Sequence, residues 1–327
     1  MSQRPLLIVE SPSKARTIEQ YLGGDYEVTA SVGHVKDLPS NQLGVDIDDD
    51  FKIQLDVLPN RKQFITDLKK KAKNASKVLI ATDPDREGEA IAGHLATEIN
   101  HKSIERIEFT EITKDGISEA MNHIRSIDNN LVNAQSARRI IDRLVGYKIS
   151  PVLWATLQKN MDFVQNSLSA GRVQSAAVKI IIDQDRLRAK FLKTTYFDLQ
   201  ADLGKNGGAF NFKATLHSID GKRIASSNDF DSKNGELKNK TVLLLSESQA
   251  KELLKELDKG QWQVKDIKEK PRTSNPKPPF TTSTLQQEAA RKLRMSAKQT
   301  MRIAQQLYEN GFITYMRTDS THLSEEA

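Results

Sequence analysis

The first part of the chain alternates short apolar runs with segments of helical periodicity. The apolar runs at 6–9, 77–81 and 105–109 have the length of buried strands. Between them, apolar residues recur on one helical face in 14–22 and in 91–99. Strands that alternate with helices predict an α/β fold whose sheet is mostly parallel.

The hydrophobic period changes twice beyond this α/β part. Apolar residues at helical spacing in 131–145 and 173–187 predict two helices. A β-rich stretch follows, with a predicted hairpin loop at 204–208 between its first two strands. Its strands are predicted for four runs: 197–203, 210–216, 242–245 and 262–267.

The last part of the chain returns to a helical pattern. Residues 271–279 are rich in proline and polar residues, which is typical of a linker. A helix is predicted to open at Thr284 with a capping box to Gln287, and a second one near Ser296. The inward face of this second helix is predicted to carry Met301, Ala304 and Leu307. Gly311 suits its C-terminal cap, and 312–315 reads as a strand.

Composition narrows the class of protein. A chain of 327 residues predicts two or three domains, and its net charge of +6 fits a polyanionic partner without requiring one. The absence of cysteine excludes disulfides, thiolate zinc sites and a cysteine nucleophile within this sequence. No apolar run has the length of a membrane span, and no Walker A sequence is present, so nucleotide hydrolysis of that type is not indicated.

Acidic residues follow the ends of two predicted strands. Glu10 comes after the first strand, and Asp83, Asp85 and Glu87 come after the second. Ligands of parallel sheets bind at this edge, and two or three carboxylates suffice for Mg²⁺, which keeps several waters. A purely structural alternative is equally open, because Asp83 before Pro84 is a good helix N-cap and acidic residues suit a first helical turn.

A phenol and a guanidinium lie close together near the end of the sequence. In an extended segment, Tyr315, Arg317 and Asp319 project from the same face. Arg317 can then hold a phosphate beside the phenol with a planar fork of donors. The residues alone favour a simpler alternative, a half-buried tyrosine next to a surface arginine.

Cationic and aromatic residues are combined on the first predicted helix beyond the α/β part. Arg138, Arg139, Asp142 and Arg143 form a basic strip, in which Arg138 and Asp142 have the spacing of an ion pair. The aromatics that follow are suited to stack on unpaired bases, although an isolated aromatic more often belongs to a core. Lys14, at the start of the first helix, is a further phosphate-binding candidate or a solvated lysine.

Several motifs together resemble one protein family. The combination of Glu10 with DPDREG at 83–88 is similar to the Toprim pattern of topoisomerases, primases and some nucleases. The whole collinear set is similar to the type IA DNA topoisomerases, and to their topoisomerase I branch more than to topoisomerase III. The other motifs of this set are IVESPSKA at 8–15, GHVKDLP at 33–39, SAGRVQS at 169–175, PFTTSTLQQEA at 279–289 and YMRTDS at 315–320.

The resemblance implies roles for individual residues. Tyr315 is then the nucleophile, which forms a phosphotyrosine link to the 5′ end of a cut single strand. Lys14 and Arg317 contact the scissile phosphate, and Glu10 exchanges a proton with the leaving 3′ oxygen. Mg²⁺ is held by Glu10, Asp83, Asp85 and Glu87. The residues implied to bind DNA are His34, Arg138, Arg139, Asp142, Tyr147, Trp154, Ser169, Arg172, Gln174 and Arg317.

The resemblance also implies a multidomain architecture. A Toprim domain with a mostly parallel sheet is expected at 1–130, interrupted near 37–60 by a segment that visits the helical domain. The other expected domains are a helical DNA-binding domain at 131–190, the first half of a β-rich arch at 191–270 and the start of an α-rich tyrosine domain at 271–327. Because the sequence stops soon after Tyr315, we expect a truncated polypeptide that does not relax DNA by itself.

The implied activity is relaxation of negatively supercoiled DNA without ATP. One strand is cut, another passes through the gap and the cut is resealed. The implied setting is a monomer that acts on single-stranded segments in the bacterial cytoplasm, associated with the nucleoid. Two rivals remain open: a primase or nuclease would need the acidic residues but not Tyr315, and a non-catalytic single-strand binder would need only the basic and aromatic residues.

Overall fold

The structure is a computed structural model that describes residues 4–157, 168–204 and 211–322. The chain divides into two compact units, one formed by Met1–Arg172 with Asn275–Ala327 and the other by Val173–Ser274. Residues 205–208 of the predicted hairpin loop and the end of the chain at 325–327 lie outside the described residues.

The strands and helices follow one another in the order expected for an α/β protein with further helical and β-rich parts. The strands are β1 (Leu6–Val9), β2 (Glu27–Ala30), β3 (Lys36–Asp37), β4 (Val45–Asp46), β5 (Lys52–Ile53), β6 (Asp56–Val57), β7 (Val78–Ala81), β8 (Ile104–Arg106), β9 (Gln200–Gly204), β10 (Asn211–Thr215), β11 (Ser218–Ile219) and β12 (Lys222–Arg223). The helices are α1 (Pro12–Leu22), α2 (Lys62–Lys73), α3 (Arg86–Ile99), α4 (Lys114–Ala120), α5 (Asn129–Thr156), α6 (Gln174–Ala189), α7 (Glu247–Leu257), α8 (Thr282–Leu293) and α9 (Ala297–Glu309). Within the described ranges, none of these helices has both the length and the apolar character needed to cross a bilayer.

A four-stranded parallel sheet forms the centre of the first unit. Its strand order is β2-β1-β7-β8, and β1 and β7 pair so that Val9 lies opposite Ala81. The apolar runs predicted as strands are fully buried in β1 and β7, because helices cover both faces of the sheet. The predicted mostly parallel sheet is therefore confirmed.

Each face of the sheet has its own hydrophobic core. On one face, α2 and α3 contribute Ile65, Leu68, Ile91 and Leu95. On the other face, α1, α4 and α9 pack against the sheet, and the residues of this second core include Ile18, Ile117, Ala304, Tyr308 and Tyr315. The helix that precedes Tyr315 therefore packs on the same sheet that carries the acidic residues.

The segment between β2 and α2 consists of short antiparallel pairs. β3 pairs with β6, and β4 pairs with β5. The bidentate Arg139 to Asp37 contact and the Tyr147 hydroxyl, which donates to the Ser40 carbonyl at 3.0 Å, join this segment to α5. These contacts lie within the 37–60 interruption expected from the sequence.

The C-terminal part of the first unit departs from the expected pattern in three places. Thr281, rather than Thr284, caps α8, and Thr284 is the partner in its capping box. Tyr308, fully buried, replaces Leu307 on the inner face of α9, because an i, i+3, i+7 stripe continues through residue 308. Residues 312–314 form a bend and residue 315 has no regular structure, so the predicted strand at 312–315 is wrong.

In its described residues, the second unit combines α6 and α7 with small antiparallel hairpins. α6 and the pair β9–β10 occur where a helix and two alternating runs were predicted. Of 242–245, only Leu243 takes part in an isolated bridge, and 262–267 contain no strand, so these two predicted strands are wrong. An alternating run forms a strand only where another strand offers hydrogen-bond partners. The four domain boundaries expected from the sequence stay a prediction.

Candidate active site

The acidic loop is built by the junction between β7 and α3. Asp85, not Asp83, caps α3, and its Oδ1 accepts a hydrogen bond from the Gly88 amide at 2.9 Å. The Thr82 hydroxyl closes the loop by donating to the Gly88 carbonyl at 2.6 Å. A Cβ at Gly88 would lie 2.1 Å from the Asp83 carbonyl oxygen, so this tight path requires glycine.

Glu10 and Asp83 meet because they follow adjacent parallel strands. The Asp83 amide donates to Glu10 Oε2 at 3.2 Å. Burial raises the pKa of Glu10 to about 7; the negative charge of Asp83 adds to this effect, and the Lys14 ammonium opposes it. Glu10 is therefore partly protonated at neutral pH.

Lys14 is a buried lysine and not a solvated one. It lies in the first turn of α1, which is capped by Ser11, and only 2% of its surface is exposed. Its ammonium pairs with Asp83 Oδ1 and lies 4.7 Å from the centroid of the Tyr308 ring. A buried ammonium needs such partners, because its desolvation is costly.

Tyr315 reaches the acidic loop from the C-terminal segment. Its hydroxyl donates to Asp85 Oδ2 at 2.5 Å, and Arg317 donates to the same oxygen at 3.0 Å. Burial and the hydrogen bond to Asp85 raise the pKa of Tyr315 well above its usual range. Burial would raise the pKa of Asp85, but the hydrogen bonds from Tyr315 and Gly88 and the charge of Arg317 lower it. This arrangement keeps the phenol protonated and the carboxylate charged.

A single cleft brings the front and the end of the sequence together. It encloses about 440 Å³, and its lining includes Glu10, Asp83, Met316 and Arg317. Tyr315 and Arg317 both donate to Asp85, so these two residues converge on one site as expected, although their segment is not a strand. Asp319, expected on the same face, is exposed.

Glu87 lies apart from the other acidic residues. Its carboxylate contacts His34 Nε2 at 3.2 Å, Gln135 Nε2 at 3.2 Å and Arg138 at 3.7 Å. In the described part of the chain, no group of three or more His, Cys, Asp or Glu side chains is arranged to hold a metal ion. The oxygen donors and the mutual repulsion of Glu10 and Asp83 nevertheless fit a divalent cation held by one or two carboxylates.

A second cleft, of about 530 Å³, lies along α5. Tyr147 and Trp154 line it with 42% and 44% of their surfaces exposed, so neither is a core residue. The guanidinium of Arg143 lies 5.1 Å from the Tyr147 ring centroid. Exposed rings beside a cation are suited to stack with unpaired bases.

The predicted ion pair between Arg138 and Asp142 is not formed. Asp142 instead binds Arg172, whose Nε lies 2.7 Å from Asp142 Oδ1. Arg139 makes its bidentate contact with Asp37, which leaves it half-exposed. Ser169 is exposed and lies close to this region in the chain, whereas Gln174 belongs to the second unit.

Sequence reasoning missed a buried ion network behind the acidic loop. Glu89 and Arg106 are fully buried and paired, with Arg106 Nε donating to Glu89 Oε2 at 3.0 Å. Arg106 also donates to the Asp83 carbonyl at 2.8 Å, and Glu89 accepts from Arg125 and from the Asp128 amide at the start of α5. No spacing in the sequence indicates that Arg106, in a strand, reaches Glu89.

Gly311 allows the segment before Tyr315 to dock. Its φ is +75°, and a Cβ there would lie 2.5 Å from the Ile112 carbonyl oxygen. We expect Gly311→Ala to destabilise the first unit by about 1–3 kcal/mol, because both the backbone conformation and the contact become unfavourable. Urea unfolding measures this loss. Gly24→Ala is the matched control, since nothing lies within 4 Å of a Cβ at Gly24; an equal effect of both changes would contradict the prediction.

Comparison with known proteins shows that two family models together match most of the chain. Residues 5–112 match the model of the Toprim domain, and residues 126–327 match the model described as DNA topoisomerase. The chain is 46% identical to DNA topoisomerase 1 of Synechococcus elongatus, and the match covers 98% of this chain and 37% of that protein. It is also 46% identical to DNA topoisomerase 1 of Mycolicibacterium smegmatis, over 99% of this chain and 36% of that protein.

A solved structure is similar as well. The structure of full-length topoisomerase I from Thermotoga maritima matches with a TM-score of 0.75 and 39% identity, over 98% of this chain and 50% of that chain. The chain thus spans little more than a third of the length of the curated relatives above, which are matched over 37% and 36% of their lengths.

Proposed function

This chain belongs to the DNA topoisomerase family, and from that premise we propose that it is part of an enzyme that relaxes negatively supercoiled DNA without ATP. The enzyme would cut one strand, let another strand pass and reseal the cut. One observation carries the proposal: the Tyr315 hydroxyl lies 2.5 Å from Asp85, in the loop that also brings Asp83 to Glu10 and Lys14. A phenol held beside carboxylates and cations is the arrangement that a tyrosine nucleophile needs.

The proposed chemistry is a transesterification at one backbone phosphate. The Tyr315 oxygen forms a bond to phosphorus, and the bond from phosphorus to the 3′ oxygen breaks. The phenol proton passes to Asp85, its hydrogen-bond partner, and Glu10 gives a proton to the leaving 3′ oxygen. The product is a 5′-phosphotyrosine link and a free 3′ hydroxyl, and the reverse reaction reseals the strand. Because one ester replaces another, no nucleotide hydrolysis is needed.

Lys14 and Arg317 are proposed to hold the scissile phosphate. Each cation already contacts a carboxylate at the site: Lys14 pairs with Asp83, and Arg317 pairs with Asp85. A phosphate oxygen is a comparable acceptor for an ammonium and for a guanidinium fork. The positive charge of Arg317 opposes the raised pKa of the phenol, which favours attack once the phosphate is bound.

Mg²⁺ is the proposed cofactor. The acidic residues proposed to form its site are Glu10, Asp83, Asp85 and Glu87. Glu10, Asp83 and Asp85 would hold the ion, and Glu10 already accepts a hydrogen bond from the Asp83 amide. Glu87, which faces His34 and Arg138, would act on the DNA side of the loop. When bound, the cation would neutralise carboxylate charge near the phosphate.

The other residues proposed to contact DNA lie in the first unit, on or near α5, except for Gln174, which belongs to the second unit. They are His34, Arg138, Arg139, Asp142, Tyr147, Trp154, Ser169, Arg172 and Gln174. The proposed partner is a single-stranded segment of underwound duplex. The protein is proposed to bind it as a monomer in the bacterial cytoplasm, at the nucleoid.

The proposed domains keep their boundaries of 1–130, 131–190, 191–270 and 271–327, with the first interrupted near 37–60.

The aromatic residues of the α5 cleft provide a test of DNA binding by this chain itself. Tyr147→Leu and Trp154→Leu should each lower the affinity for a single-stranded oligonucleotide by about 5- to 150-fold, because each removes a stacked base contact. Fluorescence anisotropy at one fixed salt concentration measures the affinity. Tyr21→Leu is the matched control, as Tyr21 is 45% exposed on α1; affinities unchanged in all three variants would exclude this cleft.

The covalent link is tested with end-labelled DNA. A full-length version of the protein, as long as its relatives, is incubated with Mg²⁺ and a single-stranded oligonucleotide that carries a label at its 3′ or its 5′ end. After denaturation, the 3′ label should move with the protein and the 5′ label should not, because the phosphotyrosine is on the 5′ end of the downstream piece. Cleavage with neither label on the protein would indicate a nuclease, and retention without cleavage would indicate a DNA-binding module.

A further inference from the structure

Tyr308 lies between the two groups that the proposed reaction uses on the scissile phosphate. Its ring and the ring of Tyr315 are 5.2 Å apart between centroids, in an edge-to-face arrangement with an interplanar angle of 69°. The Lys14 ammonium lies 4.7 Å from the centroid of the same Tyr308 ring. One side chain therefore contacts both the phenol and the buried cation.

The ring of Tyr308 is held firmly in place. It is fully buried in the core formed by α1, α4, α9 and the sheet. Its hydroxyl donates to the Phe109 carbonyl at 2.5 Å, and the amide of Tyr315 donates to the next carbonyl, Thr110, at 2.8 Å. The same short segment beyond β8 thus anchors both tyrosines, which restricts the motion of one relative to the other.

The two ring contacts have a direct physical consequence. An edge-to-face pair favours one orientation of the Tyr315 ring, and hence one position of its oxygen. The ring of Tyr308 also stabilises the ammonium of Lys14, most strongly where water is excluded. When Lys14 exchanges Asp83 for a phosphate oxygen, the ring contact can persist and limit where the ammonium goes.

We propose that Tyr308 is a positioning residue for strand cleavage, whose ring sets the Tyr315 oxygen and the Lys14 ammonium at a fixed separation across the scissile phosphate. This inference rests on the proposed function, since it assigns Tyr308 a part in that reaction. The ring is the active element, and the hydroxyl serves to anchor it. Loss of the ring should slow the chemical step without weakening DNA binding.

The test compares two substitutions of Tyr308 in the full-length protein. Tyr308→Phe keeps the ring and loses the hydrogen bond to Phe109, whereas Tyr308→Leu keeps an apolar side chain and loses the ring. Single-turnover cleavage of a 3′-labelled oligonucleotide should slow by about 10- to 100-fold in the leucine variant. In the phenylalanine variant the rate should stay within about 3-fold of the unsubstituted protein, because the ring contacts remain. The DNA dissociation constant should be the same in both variants.

If Tyr308 only stabilised the fold, the cleavage rates of the variants would follow their stabilities. Tyr26→Leu is the matched control, because Tyr26 packs against the same core, and it should leave the cleavage rate unchanged. A rate that falls in proportion to the urea midpoint across all three variants would overturn the inference. So would equal cleavage rates in the leucine and phenylalanine variants of Tyr308.

The failure of this inference is distinguishable from failure of the proposed function. If the unsubstituted protein forms the labelled adduct and Tyr308→Leu forms it equally fast, only the role of Tyr308 is excluded. If the unsubstituted protein forms no adduct, the proposed function itself fails. Combining Tyr308→Leu with Lys14→Met adds a second readout, because two groups that act together should show effects smaller than the product of the single effects.

Discussion

Replacing Tyr315 by phenylalanine should abolish the covalent protein–DNA adduct in the full-length protein. Phenylalanine keeps the ring but has no oxygen to attack phosphorus, so adduct formation should fall by more than about 10⁴-fold. The loss should affect the chemical step alone, since Arg317 still faces Asp85 and the cleft along α5 is unchanged. Denaturing gels with a 3′-labelled oligonucleotide measure the adduct, and anisotropy measures noncovalent binding.

A loss of stability in Tyr315→Phe is the main alternative cause of a missing adduct, and a control variant can exclude it. The Tyr315 hydroxyl donates a hydrogen bond of 2.5 Å to the charged Asp85, so its removal should lower the free energy of unfolding by about 1.5–3 kcal/mol, which urea unfolding measures. Tyr26→Phe removes a hydroxyl from another partly buried tyrosine of the same core and should retain full adduct formation. Persistence of labelled protein in the Tyr315 variant would assign the nucleophile to another residue. Strand cutting that continues without an adduct would favour a metal-dependent nuclease.

Glu89→Gln should cause the largest loss of stability among the substitutions considered for this chain. The change removes the closer of the two carboxylates that face the fully buried Arg106, at 3.0 Å against 3.8 Å for Glu108, and it also removes the charge that binds Arg125 at 2.8 Å. Breaking one side of a buried ion pair costs about 3–5 kcal/mol, because the other charge stays buried without its main partner. Urea unfolding followed by far-UV circular dichroism measures the loss. Glu27→Gln is the control: its pair with Lys71 is more than 40% exposed on both sides, and it should change stability by less than about 1 kcal/mol.

The contribution of Glu89 should also depend on pH in a defined direction. Burial would raise the pKa of Glu89, but hydrogen bonds from Arg125 and the Asp128 amide and the charge of Arg106 lower it from 4.5 to about 2. A lowered pKa in the folded state stabilises the protein above pH 4.5, and this stabilisation is lost as the pH falls from 4.5 towards 2. The difference in unfolding free energy between the unsubstituted protein and Glu89→Gln should therefore shrink over that interval. A difference that stays constant down to pH 2 would show that charge is not its origin.

The same network connects the acidic loop to the DNA-binding helix of the proposal. Arg106 holds the Asp83 carbonyl, and Glu89 accepts the amide of Asp128, which caps α5. Glu89→Gln should therefore disturb both ends of the site. Unfolding measurements detect the loss of stability in Glu89→Gln directly, because they do not require the protein to cleave DNA.

The order of elements was predictable because it depends on local patterns. The apolar runs of β1 and β7 mark strands buried on both faces, and the acidic residues after them mark a ligand site at the edge of the sheet. The errors were also local. Leu307 was chosen for the inner face of α9 where the stripe continues to Tyr308, and 262–267 alternate without a partner strand. Periodicity predicts the face of an element only to within one neighbouring residue.

The sequence by itself determined the α/β core, the parallel sheet and the family, because apolar period, turn residues and collinear motifs are properties of short segments. Only the tertiary structure decided which partner each charged group takes. Lys14 faces Asp83, Asp142 faces Arg172 rather than Arg138, and Glu87 is turned away from Asp83. These pairings, and the placement of Tyr308 between Lys14 and Tyr315, join segments that are distant in the chain. Their cause is the packing of helices against both faces of the sheet, which no local pattern of residues contains.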